Sequence, residues 1–179
     1  MKLTEKTLSL KTIYNGKIIN VRKDEVELPN GNSADREVVE HSGGVCVLPL
    51  TDSGEIVMVN QFRYPHSEIL TEIPAGKKEI GEEPLTCAER ELLEETGYTA
   101  ESFDYLGSLY PTPAYCTEVI HMYLARGLRE GKQNLDKDEF LDVVKFPFDK
   151  AFDMVLRNEI SDAKTQIAIL KAKALFALE

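Results

Sequence analysis

Cysteine is scarce in this chain, tryptophan is absent, and no apolar run is long. The three cysteines, Cys46, Cys87 and Cys116, are odd in number and lack CxxC spacing. That argues against a disulfide framework or a thiolate zinc site; they read as small buried hydrophobes of a reducing compartment. His41, His66 and His121 are scattered, so neither a histidine metal cluster nor a catalytic triad is expected. No apolar stretch approaches the roughly 18 residues that a membrane span needs. The opening Met1-Lys2-Leu3-Thr4-Glu5-Lys6 lacks the apolar region of a signal peptide, so a cytoplasmic protein without membrane contact is the expectation. Basic residues are also in short supply. Lys and Arg number 21 against 31 Asp and Glu, a net charge of −10. A nucleic-acid surface has a basic footprint, so no nucleic acid is expected as a partner.

What is present suits one globular domain with a full core: 179 residues, 42% hydrophobic and 29% charged. Residues 7–28 alternate apolar and polar positions, and Pro29-Asn30-Gly31-Asn32 supplies a hairpin turn, because Asn-Gly tolerates positive φ. A returning strand is expected at about 34–41. These residues, 1–41, read as an N-terminal antiparallel β-hairpin unit, and 42–179 as the main domain. Val45-Cys46-Val47-Leu48-Pro49-Leu50 and Ile56-Val57-Met58-Val59 read as buried strands. From Pro84 the period turns helical, with Pro84 suited to the first helical position and Gly97 to the residue past the end. Strands are expected at about 101–109, 117–125 and 139–146. Asp149 is expected to cap a helix near 150–157. Asp162 is expected to cap a longer one to about 177, with Ile167, Leu170, Ala174 and Leu178 along its apolar stripe. The order implies an α+β fold, a mixed β-sheet packed between helices.

The most informative segment runs from Gly76 to Tyr98. At about 100° per residue, Glu91, Glu94 and Glu95 share one arc of a helix beside an apolar face of Leu85, Ala88 and Leu92. Like charges at i and i+4 destabilise a helix unless something neutralises them. Mg²⁺ is the natural counter-ion, since it prefers oxygen ligands and shares them with water and phosphate. It would also let an acidic protein approach a phosphate ester. Arg90 reaches Glu94 at i,i+4 and is expected to organise these carboxylates.

The segment resembles the Nudix box, G-x5-E-x7-R-E-U-x-E-E-x-G-U, with U a bulky apolar residue. Gly76, Glu82, Arg90, Glu91, Leu92, Glu94, Glu95, Gly97 and Tyr98 fill every specified place. Tyr98 is the soft match, an aliphatic residue being commoner there. The resemblance implies a Nudix-type sheet between helices and metal-dependent attack of water on phosphorus in a nucleoside diphosphate linked to another group. It implies Glu91, Glu95 and the Ala75 carbonyl as metal ligands, Glu94 as a further ligand or orienting catalytic group, and Glu82 as an accessory. Mg²⁺ is the implied cofactor, with Mn²⁺ able to substitute.

Features outside the box resemble the ADP-ribose pyrophosphatase branch. Gln61-Phe62-Arg63 followed by Glu72-Ile73-Pro74-Ala75-Gly76 matches that branch's approach to the box. It implies substrate-side roles for Glu72 and Arg63, the latter gripping a phosphate; a plain surface pairing of Arg63 with Glu68 or Glu72 is the alternative. Pro113, in Tyr110-Pro111-Thr112-Pro113-Ala114-Tyr115, stands where the branch carries its proline marker, and Tyr110 or Tyr115 could stack on a base. Leu135-Asp136-Lys137-Asp138-Glu139-Phe140 resembles the acidic catalytic loop. Glu139 is favoured as general base or additional metal contact, with Asp136 and Asp138 as rivals. Relatives in this branch are homodimers whose N-terminal strands help build the partner's nucleotide site, which implies a contribution from Arg36 and Glu37. The expectation is hydrolysis of ADP-ribose to AMP and ribose 5-phosphate. The alternatives are another nucleotide sugar such as GDP-mannose, or a non-catalytic nucleotide-sensing module, against which the intact box argues.

Overall fold

A computed structural model describes residues 3–177; Met1, Lys2 and Leu178, which figured in the expectations above, lie outside it. In chain order the elements are β1 (Lys6–Asn15), β2 (Asn20–Glu27), β3 (Ser33–Glu40), β4 (Gly44–Pro49), β5 (Glu55–Arg63), β6 (Glu68–Glu72), β7 (Ala75–Lys77) and α1 (Pro84–Thr96). They continue with β8 (Tyr98–Thr99), β9 (Ser102–Leu109), β10 (Ile120–Arg126), β11 (Arg129–Glu130), β12 (Leu141–Pro147), α2 (Phe148–Leu156) and α3 (Ala163–Phe176). The chain divides into two compact units.

The first unit holds the residues up to Gly43 together with Tyr110–Val119. Its sheet is an antiparallel meander in the order β1-β2-β3, one strand more than a hairpin. The expected stretch 7–28 holds two strands, turned where the Gly16 N–H donates to Ile19 O at 3.0 Å. The Asn-Gly turn is present as expected: Gly31 has φ +85°, and the Asn32 N–H donates to Asn30 Oδ1 at 3.0 Å. Within the same unit, segment 110–119 lies along β3. The Val39 N–H donates to Tyr115 O at 2.7 Å and the Thr117 N–H to Val39 O at 2.9 Å.

In the second unit, β4 explains the layering. All six of its residues are buried, as its unbroken apolar run implies for a strand covered on both faces. Cys46 and Leu48 enter one core with Ile73, Met122, Leu124, Ala151, Val155, Ala168 and Ile169. Val45 and Val47 enter another with Cys87, Ala88, Leu92 and Tyr98. The sheet β7-β4-β10-β9 therefore lies between α1 and the pair α2 and α3. It is mixed, because β10 runs parallel to β4 while β7 and β9 are antiparallel to their neighbours. A second, antiparallel sheet runs β12-β5-β6. Each fully buried Leu or Ile contributes roughly 1.5–3 kcal/mol, so two cores on one strand make β4 the spine of the unit. This is the expected α+β arrangement.

Some local expectations need correction. Strands β6 and β7 form from the approach to the box, which had no strand assigned. Helix α2 begins at Phe148 with Pro147 at the cap position and no side-chain cap; Asp149 instead bonds Lys173 Nζ at 2.8 Å. Asp162 does cap α3, accepting from the Thr165 N–H at 2.9 Å. The buried face of α3 is Thr165, Ala168, Ile169 and Ala172, whereas Leu170 and Ala174 face solvent. Leu85 is also 43% exposed, and Cys87 takes its place on the buried face of α1.

Candidate active site

Helix α1 carries the acidic centre. Pro84 opens it, and Gly97 closes it at φ 77°, with its N–H donating to Leu93 O. A Cβ at Gly97 would stand 2.7 Å from Gln133 N, so both the left-handed turn and the close approach require glycine. Cys87, Ala88 and Leu92 dock α1 on the sheet and carry Glu91 and Glu95 inward, 9% and 3% exposed. Glu94, on the same side, stays half-buried.

Strand β7 brings backbone against these carboxylates. The Ala75 N–H donates to Glu95 Oε2 at 3.0 Å. A Cβ on Gly76 would fall 1.9 Å from Glu91 Cδ, so the first glycine of the box is fixed by the close approach of Glu91. Arg90 spans three carboxylates at once. Its Nε donates to Glu82 Oε1 at 2.9 Å, and its Nη1 to Glu91 Oε1 at 2.7 Å and Glu94 Oε2 at 2.9 Å. It organises the acidic face, as expected. The same guanidinium holds the Glu82 carboxyl down at about 2.

Glu91 and Glu95 both shift in the direction opposite to Glu82. Burial pushes Glu91 up to about 7, with Glu94 and Glu139 adding repulsion and Arg90 offsetting part of it. Burial likewise pushes Glu95 up to about 8, reinforced by Glu91 and Glu139 and offset by the Ala75 N–H. Glu139 thus acts electrostatically on both groups. Its N–H donates to Asp136 O at 3.0 Å, and it is half-buried while Asp136 and Asp138 are exposed.

Arg63, at the end of β5, donates through Nε and Nη2 to the two oxygens of Glu72, at 2.6 and 2.7 Å. That fork makes the plain pairing with Glu72 a fact of the structure, while 38% of the arginine side chain stays exposed. Glu72 itself is 1% exposed and also bonds Lys164 Nζ. Arg36, Pro113 and Tyr115 belong to the first unit. Arg36 pairs with Glu5 there, at 2.9 and 2.5 Å, and Tyr115 is 54% exposed. Sequence reasoning missed Lys164, Thr165 and Gln133 as neighbours of the site. Gln133 Nε2 donates to Glu95 O at 2.6 Å. Lys164 meets Glu72 across 92 residues, a separation that no local pattern encodes.

The donor set fits a hard divalent cation. Glu91 and Glu95 are oxygen donors whose charged forms lack sufficient compensation, and bare backbone at Ala75 and Gly76 lies beside them. Among the described residues, no three acidic, histidine or cysteine side chains form a closed cage. Two carboxylates beside open backbone can hold a divalent cation that completes its shell with water and phosphate.

The sheet between helices, with the box helix packed on one face, is the arrangement of a Nudix domain, and the chain belongs to that family. The NUDIX domain model matches residues 40–167, and the Nucleoside diphosphate sugar hydrolase N-terminal domain model matches residues 5–39. The chain is 46% identical to an ADP-ribose pyrophosphatase of Bacillus subtilis (strain 168), over 93% of this chain and 91% of that one. It is 43% identical to a methanol dehydrogenase activator of Bacillus methanolicus, over 92% and 90%. A crystal structure of an ADP compounds hydrolase superposes with TM-score 0.87 at 20% identity, covering 99% of this chain and 97% of the other; it bears on the fold alone.

Proposed function

We propose that the chain hydrolyses the pyrophosphate bond of ADP-ribose, giving AMP and ribose 5-phosphate. The observation that carries this is the buried pair Glu91 and Glu95 against the backbone at Ala75 and Gly76, in a chain so similar throughout to a relative of that named activity. Glu91, Glu95 and the Ala75 carbonyl would hold Mg²⁺, with Mn²⁺ able to replace it, and Glu94 would orient the set. When bound, the metal neutralises the diphosphate and makes water more acidic. Glu139 accepts the proton of the attacking water. That water's oxygen bonds to phosphorus as the bridging oxygen leaves with the other phosphate. The exposed edge of Arg63 pairs with a phosphate of the substrate, and Glu72 holds the guanidinium in place.

Arg36, Pro113 and Tyr115 are assigned to the nucleotide, within a homodimer of a cytoplasmic enzyme. Support for the dimer comes from β1, an edge strand exposing Leu8, Leu10, Ile13 and Tyr14 at 45, 64, 56 and 56%, an apolar edge of the kind that invites pairing. No helix among the described residues is long and apolar enough to cross a membrane. The test is to incubate purified protein and Mg²⁺ with ADP-ribose, GDP-mannose and other nucleotide sugars, and to measure nucleotide and sugar phosphate release. AMP from ADP-ribose is expected as the dominant product. A poor rate with ADP-ribose beside the others would remove the substrate assignment and leave the family standing.

A further inference from the structure

The first turn of α3 carries two groups that the proposed reaction does not use, Lys164 and Thr165, and they bond Glu72 and Ile73. Lys164 is the least expected. Its side chain is 11% exposed, and its ammonium bridges Glu72 Oε2 and Asp162 Oδ1, the latter at 2.9 Å. Burial opposes its charge, but Asp162 and Glu72 outweigh that and raise it above the usual lysine range. With Arg63 on Glu72, two acids and two bases close a charge-balanced set that is exposed chiefly at Arg63. One residue on, Thr165 is fully buried. Its Oγ1 donates to Asp162 Oδ2 at 2.5 Å and accepts the Ile73 N–H at 2.9 Å. A buried N–H of a strand end needs such an acceptor, and β-strand pairing does not provide it here.

The segment is thus pinned residue by residue. Glu72 is held by Arg63 and Lys164, Ile73 by Thr165, Pro74 through its carbonyl to the Val47 N–H at 2.9 Å, and Ala75 through its N–H to Glu95. At one end stands the arginine exposed for a phosphate. At the other stands Ala75, whose N–H meets Glu95 and whose neighbour Gly76 lies against Glu91, and whose carbonyl is the ligand proposed above. A shift at Ile73 moves both ends.

We propose that Lys164 and Thr165 are positioning residues. Lys164 sets the Arg63 fork through Glu72, and Thr165 sets the Ala75 carbonyl through Ile73. This rests on the site reading above, so the tests include readouts that need no turnover. Thr165→Val keeps the shape and removes the acceptor, while Thr165→Ser keeps the hydroxyl. In metal-free protein, amide exchange at Ile73 should quicken about tenfold in the valine variant, and Mn²⁺ affinity measured by calorimetry should weaken about tenfold, as is typical when a group behind a metal ligand is lost. Serine should restore both. Should the valine variant not fold, Thr165→Ala removes the same acceptor without the second branch and is expected to give the same two shifts.

On the substrate side, Lys164→Met should raise KM for ADP-ribose about tenfold with kcat within about threefold, the mark of lost ground-state binding. Unchanged exchange and Mn²⁺ affinity in both the valine and alanine variants would overturn the Thr165 assignment, and so would a serine variant as weak as valine. Loss of kcat at constant KM in Lys164→Met would overturn the Lys164 assignment. If the wild-type protein left ADP-ribose intact, the substrate reading would fail, while exchange and Mn²⁺ binding would still decide the positioning role.

Discussion

Replacing Glu95 by glutamine separates the charge of this carboxylate from its shape. The side chain is 3% exposed, and its carboxyl is raised from 4.5 to about 8, first by burial and then by Glu91 and Glu139. Glutamine keeps an oxygen to accept the Ala75 N–H and never ionises. Because the folded carboxyl titrates above the unfolded one, the metal-free folded state holds the extra proton between pH 4.5 and about 8. Wild-type stability therefore falls as pH rises through that window. At pH 8 the difference corresponds to about 4 kcal/mol. Water reaching the open side of the site screens part of this, so a gain of about 2 kcal/mol is expected for Glu95→Gln. Denaturant unfolding in EDTA at pH 8 and pH 5 measures it, with the gap shrinking below about 1 kcal/mol at pH 5. The same variant should lose turnover by orders of magnitude, because an implied metal ligand is gone. Equal stabilities at pH 8, or a gap that widens toward pH 5, would refute the charge argument. Near-normal turnover would refute the ligand assignment.

Gly76→Ala places a methyl group 1.9 Å from Glu91 Cδ, so Glu91 must move; we expect turnover to collapse and the half-saturating Mg²⁺ concentration to rise, read by metal titration of activity. Glu139→Gln should lower kcat by about 10²–10⁴-fold, the usual range for a general base, with the melting temperature unchanged within a few degrees. Leu10→Glu puts a charge on the exposed edge of β1 and should shift sedimentation equilibrium toward monomer; an unchanged distribution would place any dimer contact elsewhere.

The acidic helix was legible in advance because its information is local. Pro84, Gly97 and the spacing of Glu91, Glu94 and Glu95 lie on one continuous segment, and a helix converts spacing directly into a shared face. The apolar run of β4 likewise announced its burial on both sides. Segment 68–77 was opaque, since five- and three-residue strands carry too few positions for a period to show. Helix α3 was misread because Ala, Ile and Leu occur nearly all the way round it, so composition does not select one stripe. Lys164 and Thr165 could not be tied to Glu72 and Ile73, because that contact exists only after the chain has folded back. The docking of Gln133 on the end of α1 is hidden for the same reason.

That late contact orders events during synthesis. The box helix is complete once residue 97 has been made, and its internal hydrogen bonds need nothing further along. Strand β4 must wait for its parallel neighbour β10, and Glu72 waits 92 residues for Lys164. A growing chain therefore displays a run of glutamates long before it owns the lysine that balances one end of their neighbourhood. The contacts of Glu72 and Ile73 with α3 can form only after residue 165 has been made, so along the growing chain the box helix always precedes the groups that pin the strand end beside it.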